Sequence, residues 1–363
     1  MTAPRAPRAG ERQRLAVVFG GRSVEHEVSV TSARSIMRET DHDRFEVIPI
    51  GITRRGAWLA PDETRRRLVP VDAGETRSLG EEGGDPLLHA AEVLATLRTI
   101  DVVFPIVHGT FGEDGTLQGL LEMADLPYVG PGVAASAVGM DKDLMRSVFT
   151  AAGIPQARYL VLTDDEVRSP SPGTVAAIDA LGYPCFVKPA NGGSSVGVSK
   201  VRSREDVAVA LSEAARHDRK ALVEEALAGQ EVECAVLGHR DPQPSPLGEI
   251  RPTTEFYDYR AKYLDDSAEL IVPARVDDAT AARVQELALR AFRALDCSGL
   301  SRVDFFVQPG GDVRCIELNT LPGFTPISMY PRLWQEAGIS YRALISLLVD
   351  YALERHAEVR SHA

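Results

Sequence analysis

Residues 15–19, Leu-Ala-Val-Val-Phe, are apolar without interruption and stop at Gly20-Gly21. An unbroken run of that length suits a strand buried on both faces of a parallel sheet. Helical spacing follows over about 27–39, then a second strand at 45–50. A third apolar run at 101–107 leads through a glycine-rich loop into a helix near 115–124. Strands alternating with helices predict a small doubly wound unit over about the first 130 residues. The segment 53–88, rich in Arg, Glu, Gly and Pro, reads as an irregular connection.

Between 134 and 152 the spacing is helical again, and Gly153-Ile154-Pro155 stops it. Next come a strand ending at Lys188, a glycine/serine loop, a strand at 196–201, a helix at 204–217 and a strand at 221–224. The last section has a strand at 231–237, a loop rich in Pro, Tyr and Asp at 252–275, and a helix near 279–295. It closes with strands at 301–307 and 313–318 and a helix over about 340–355. The fold class expected is α/β, α+β overall.

Length and charge narrow the function classes. At roughly 150 residues per domain, 363 residues make two or three domains. Lys plus Arg is 40 and Asp plus Glu is 52, a net charge of −12, which argues against a duplex nucleic-acid binder. A local cluster of cations around a small anion remains compatible with it. Cys185, Cys234, Cys297 and Cys315 show no CxxC spacing and read as buried thiols, neither a zinc site nor a disulfide framework. The first residues, MTAPRAPRAGERQR, lack an apolar stretch and read as a tail, not a signal peptide. No run approaches 18 apolar residues, so no membrane span and a cytoplasmic protein are expected.

Chemistry concentrates in five segments. In SRVDFFVQPGGDVRCIELN, residues 301–319, two strands flank a Pro309-Gly310-Gly311 turn. Side chains two apart share a face, so Arg302 and Asp304 point one way, as do Glu317 and Asn319. The turn places Asp304 opposite 316 or 317. Oxygen ligands so gathered suit Mg²⁺ or Mn²⁺; the alternative is a sheet face carrying ordinary salt bridges. In VKPANGGSSVG, residues 187–197, a lysine ends a strand and small residues with free N–H groups follow, as a phosphate-covering loop requires. It is not a Walker A motif, and a plain surface loop is the alternative.

VHGTFGEDGTLQG, residues 107–119, is a strand–glycine loop–helix junction of the kind that places ligands in open α/β sheets. Its His108 reads equally as a structural histidine. In GGRSVEHEVS, residues 20–29, Glu25 is a candidate for a ligand ammonium or simply a helix N-terminal charge. FYDYRAKY, residues 256–263, carries three tyrosines and a lysine, fit to cap a pocket or to pack on a surface. Gly20-Gly21 does not extend to GxGxxG, which counts against the second class considered, a nucleotide-dependent dehydrogenase. A third class is a non-catalytic ATP-binding sensor.

Together with MDK at 140–142 and IELNTLPGFT at 316–325, these motifs run in order from residue 20 to about 330. The set resembles the D-alanine–D-alanine ligases of the ATP-grasp superfamily. The resemblance implies a three-domain ATP-grasp fold: an N-terminal α/β domain at 14–136, a central lid domain at 137–228 and a catalytic domain at 229–355. It implies ATP-dependent joining of two D-alanines through a D-alanyl phosphate, for peptidoglycan precursors. It also implies two Mg²⁺ or Mn²⁺ ions, room for a monovalent cation, and a homodimer.

By matching position, the resemblance assigns Glu25 to the ammonium of the first D-alanine, with Ser194 and Tyr263 hydrogen-bonded to it. Arg302 and the Gly323 N–H would meet the tetrahedral oxyanion. Asp304, Glu317 and Asn319 would hold the ions. Lys142, Arg146, Lys188, Ser195 and Lys262 would line the phosphate side, Glu224 the adenine and Glu231 the ribose. Ser328 and Met329 would form the second D-alanine site, and His108 would lie near the first. Three departures stand out: Arg146 and Glu225 occupy positions where lysine is common, and Met329 one where leucine is. An intact Arg302, Asp304, Glu317 and Asn319 argue against the sensor.

Overall fold

The computed structural model describes residues 11–68, 79–80, 90–252 and 268–362. Three sheets organise them. The first holds β1 (Gln13–Gly20), β2 (Phe45–Ile52) and β3 (Val102–Ile106), all parallel, in the order β2-β1-β3. Both faces of β1 are covered: Leu15, Val17 and Phe19 enter one apolar cluster, Ala16 and Val18 another. This is what its unbroken apolar run demands. Helix α1 (His26–Glu39) follows the strand through Gly20 and Gly21, both with positive φ. A Cβ on Gly20 would stand 2.1 Å from the Ile52 carbonyl oxygen, so no other residue fits that exit.

The connection after β2 is less irregular than expected. It contains α2 (Pro61–Leu68), with proline in its first turn, Asp62 and Glu63 beside it and three arginines in its last turn. Thr64 alone is buried there, so no apolar stripe announces this helix. Helices α3 (Ala90–Leu97) and α4 (Thr116–Met123) flank β3.

The helical spacing over 134–152 divides into α5 (Val133–Met140) and α6 (Lys142–Ala151). The break has a cause. Asp141 is extended and caps α6, accepting from the N–H groups of Asp143 at 3.0 Å and Leu144 at 3.2 Å. It also forms a bridge to Asn191, while the Lys142 N–H donates to the Ala190 carbonyl at 2.9 Å. The chain leaves the helix for one residue to tie the glycine/serine loop down.

The second sheet is antiparallel, in the order β4 (Tyr159–Leu162), β7 (Ala221–Glu225), β5 (Cys185–Pro189), β6 (Ser199–Val201). Helices α7 (Asp164–Arg168), α8 (Pro172–Leu181) and α9 (Val207–Ala214) accompany it. The strand expected over 196–201 shortens to three residues because Ser194, Ser195 and Gly197 all take positive φ. β4 and α8 lack a sequence signal strong enough to have been anticipated.

The third sheet runs β10 (Ala268–Ile271), β9 (Gln243–Pro252), β8 (Gln230–Gly238), β11 (Gly299–Val307), β12 (Val313–Asn319), again antiparallel. Prolines and a glycine had hidden β9. Its pairing with β8 shifts register between Cys234 and Val236, opposite the segment holding Pro244 and Pro246. β10 falls inside the segment 252–275 read as a loop; residues 253–267, with Lys262 and Tyr263, lie outside those described.

α10 (Asp278–Ala294) covers one face of this sheet, through Val232, Cys234, Val236, Val303 and Phe305. α5 and α6 join that core through Ala135, Met145 and Phe149. α11 (Met329–Glu336) and α12 (Tyr341–Ser361) cover the other face and pack onto the first sheet in the same cluster, with Leu15, Leu237, Leu300, Phe324 and Leu348. The first and third sheets are thus welded by one shared core. All four cysteines are free and buried, as expected.

Candidate active site

Strand parity selects what faces the gap between the sheets. Ala235 and Leu237 on β8 and Leu300 on β11 point into the core beneath α12. Further along the same face come Glu231 and Glu233 on β8, and Arg302 and Asp304 on β11, where the helix no longer covers the sheet. On β12 the register with β11 shifts after Asp304, which pairs with Glu317 while Phe305 pairs with Cys315. This bulge lets Cys315 stay in the core under α10 while Glu317 and Asn319 line the cleft. Without it, residues 315 and 317 would share a face. The cleft, bounded also by β5, β7 and the loops after β1 and β3, has a volume of about 1520 Å³.

Arg302 donates from Nε and Nη2 to the two oxygens of Asp304, at 2.7 and 2.8 Å. The Asn319 amide adds a third contact to Asp304 at 2.9 Å. Buried Glu233 lies 3.1 Å from the same Arg302 Nε. Lys142 reaches Glu317 at 3.6 Å and donates to the Gly192 carbonyl at 2.8 Å, so it touches both the loop and the carboxylate face. The donor set offers hard oxygens only. Among the described residues no three His, Cys, Asp or Glu side chains gather closely enough to hold a cation unaided. Two carboxylates and an amide fit a divalent ion whose remaining positions are filled by ligand oxygens.

Opposite, Glu224 on β7 is buried between Lys188 and Arg146, with an ion pair to each. Burial alone would raise its carboxyl, but the two cations hold it below the ordinary carboxylate range. Arg146, expected on the phosphate side, is 2% exposed and engaged with Glu224, its guanidinium 5.1 Å from the Tyr159 ring centre. Its Nε and Nη1 are buried without hydrogen-bond partners among the described residues. The neighbouring Glu225 accepts from the N–H and Nε of Arg158 at 2.8 and 2.6 Å.

At the other end of the cleft Ser194, held in a left-handed turn, donates its hydroxyl to Glu25 at the start of α1. Gly109 and Gly193 face the same carboxylate: a Cβ on either would stand 3.1–3.2 Å from its Oε2. His108 is buried. Its Nδ1 lies 3.0 Å from the Leu321 carbonyl, which can only accept, so Nδ1 carries the proton. Burial depresses its basicity, against the pull of Glu25. Ser328 Oγ meets the Thr325 N–H at 3.1 Å, near Gly323. Met329 sits against Gly248, where a Cβ would collide with its Sδ. Ser195 and Glu231 also line the cleft.

Two residues line the cleft, Glu233 and Glu113, and a third, Lys220, stands behind it, none of them singled out by sequence reasoning. Glu233 belongs to the alternation Glu231-Glu233-Ala235, readable only once the covered end of β8 is known. Glu113 lies within the quoted glycine loop but reads there as one more acid. Lys220 bridges Asp141 and Asp143, at 2.8–2.9 Å, beside the cap that breaks the helix.

Two antiparallel sheets closing on a cleft of lysines and carboxylates, beside a parallel-sheet domain, are the ATP-grasp arrangement of ATP-dependent ligases. Residues 14–131 match the family described as D-ala D-ala ligase N-terminus and residues 148–350 its C-terminus. The D-alanine–D-alanine ligase of Acetivibrio thermocellus is 48% identical, over 96% of this chain and 97% of its own. That of Mycobacterium avium is 48% identical over 97% of this chain and 100% of its own. Among solved structures, the Coxiella burnetii D-alanine–D-alanine ligase superposes with a TM-score of 0.79 at 33% identity, covering 97% of each chain. The VanG D-Ala:D-Ser ligase of Enterococcus faecalis gives 0.78 at 34%, over 94% of this chain and 100% of that one. The chain belongs to the D-alanine–D-alanine ligase family.

Proposed function

We propose that the protein joins two D-alanines into D-alanyl-D-alanine for peptidoglycan precursors, consuming ATP and releasing ADP and phosphate. A carboxylate resists nucleophiles because of its charge. Transfer of the γ-phosphoryl group to the first D-alanine makes an acyl phosphate. The amine of the second attacks its carbonyl carbon, loses a proton, and phosphate departs. The observation that carries this reading is the Ser194–Glu25 contact. It closes the loop after β5 over the carboxylate that would hold the first ammonium, in the cleft that Arg302 also lines.

In this reading Arg302 and the Gly323 N–H stabilise the tetrahedral oxyanion, an effect whose loss typically costs 10²–10³ in rate. Lys142, Lys188, Ser195 and Lys262 attend the phosphates, and Arg146 acts there indirectly by fixing Glu224 at the adenine; Glu231 takes the ribose. Tyr263 completes the Ser194–Glu25 set. Ser328 and Met329 receive the second D-alanine, and His108 borders the first. Asp304, Glu317 and Asn319 would hold two Mg²⁺ or Mn²⁺ ions, which when bound offset triphosphate charge. We assign domains to 14–136, 137–228 and 229–355, a cytoplasmic location and a homodimeric state; no helix among the described residues is long and apolar enough to cross a membrane.

Purified protein given ATP, Mg²⁺ and D-alanine should release phosphate and form the dipeptide, each component being required. No release beside an active control refutes the reading. A preference for D-serine or D-lactate as second substrate would refute only its specificity.

A further inference from the structure

β12 ends at Asn319 and α11 begins at Met329, so the peptide that presents Gly323 belongs to neither. Beyond Gly323 it is held from its own domain, where Tyr341 donates to the Phe324 carbonyl and Ser328 Oγ accepts the Thr325 N–H; before Gly323 it is held from the first domain. Glu113 Oε1 accepts the Leu321 N–H at 3.0 Å and its Oε2 accepts the Gly109 N–H at 2.7 Å. His108 Nδ1 donates to the Leu321 carbonyl at 3.0 Å. Both backbone polar groups of Leu321 are therefore clamped by the loop after β3. Leu321 stands midway between Asn319 and Gly323, two residues from each.

The clamp is itself braced. The Glu113 N–H returns to the Gly109 carbonyl at 2.9 Å, and Gln118 Nε2 donates to the Gly112 carbonyl at 2.7 Å. Gly112 leaves no room for a side chain, since a Cβ would stand 1.9 Å from the Val107 carbonyl oxygen. Ser23 Oγ donates to the His108 carbonyl at 2.6 Å and accepts the Glu25 N–H at 3.2 Å. A continuous hydrogen-bonded path thus joins Glu25 to Leu321.

We propose that Glu113 is a positioning residue for the ligation step: its carboxyl group fixes the Leu321 peptide, and with it the Gly323 N–H, relative to Glu25. It touches neither substrate nor reacting atoms in this scheme. The proposal rests on the ligase reading above, with Gly323 as oxyanion donor. Misplacement of such a donor by an ångström is expensive in rate, whereas nucleotide binding on the far side of the cleft is untouched.

The test is Glu113→Gln, whose amide has one acceptor oxygen for two N–H donors. We expect kcat to fall about 10²-fold while KM for ATP moves less than about threefold. Affinity for a phosphinate mimic of the tetrahedral intermediate should fall by the same factor as kcat/KM, a link that a merely structural role would not produce. A folded variant with kcat within about twofold of wild type overturns the proposal, as does a loss confined to KM for ATP. If Glu113→Gln does not fold, hydrogen exchange of the Leu321 amide in the wild-type enzyme decides: protection supports the clamp and free exchange overturns it. Wild-type protein that makes no dipeptide overturns the ligase reading itself; an active wild type beside an unaffected variant overturns this inference alone.

Discussion

Arg302 holds Asp304, two residues along the same strand, by both carboxylate oxygens, and shares its Nε with Glu233 on the adjacent strand. One guanidinium thus serves two buried acids on a face whose other occupants, Glu317 and Asn319, are also oxygen-bearing. A lysine at 302 keeps the charge but cannot form the planar fork.

Arg302→Lys should therefore bind ATP within a fewfold of wild type yet lose about 10²-fold in kcat, read by coupled phosphate release. Arg302→Ala should also lower the unfolding midpoint, because Glu233 and Asp304 lose their common cation; breaking a buried pair this way typically costs about 3–5 kcal/mol. An Ala variant as stable as wild type would show that the pair is idle.

Glu25→Gln and Ser194→Ala test the closure of the loop on α1. Both should raise the D-alanine concentration needed at the first site, by about tenfold or more for Glu25→Gln, which removes a charge from a charge-assisted contact. ATP dependence should hardly change. Initial-rate kinetics with D-alanine varied at saturating ATP check this, and an unaltered D-alanine dependence would remove Glu25 from that role.

How legible was this in advance? The face Arg302–Asp304–Glu317–Asn319 was readable because hairpin register follows from a two-residue period and one turn; Asp304 does pair with Glu317. The parallel strands were readable because burial on both faces leaves an unbroken apolar run. By contrast, α2 is polar all round, β9 contains prolines, and the helix break at Asp141 arises from its bridge to Asn191, a contact 50 residues away. Such features depend on long-range partners that local periodicity does not encode. The same holds for Glu113, whose significance lies in Leu321, far along the chain.

Chelation should stop turnover, and divalent ions should restore it. Because Asp304 already carries Arg302 and Asn319 as partners, Glu317→Gln should raise the Mg²⁺ needed for half-maximal activity more than it alters fold stability. Titrating Mg²⁺ and Mn²⁺ into chelator-treated enzyme and variant checks this; an unchanged requirement would take Glu317 out of the ion site.

Arg146 and Lys188 keep Glu224 ionised despite burial, so this carboxyl contributes stability above the ordinary carboxylate range that is lost as pH falls through its lowered value. Arg146→Met removes one of the two cations, so the folded-state value rises back toward the ordinary 4.5 and the loss of stability on acidification should shrink. Urea unfolding of wild type and variant from about pH 6 down to about pH 3 measures it. Superimposable pH profiles would mean that Lys188 alone suffices.

Glu113 should show the opposite sign. Burial first, then the charge of Glu25, raises its carboxyl to about 8, against two backbone N–H donors and Arg302. The folded protein then keeps a proton that the unfolded chain releases near the ordinary value of 4.5, so stability should fall as pH rises between about 4.5 and 8. His108 opposes this at the acid end. Its basicity is depressed by burial from 6.5, so the unfolded chain takes up a proton below that pH and stability there rises with pH. Above pH 6.5 the histidine term is spent, and the window up to 8 isolates Glu113. Denaturant unfolding there should show wild type losing stability relative to Glu113→Gln, with the difference levelling off above pH 8. A difference that is flat across the window would mean that Glu113 is already ionised in the folded protein, its two N–H donors outweighing burial.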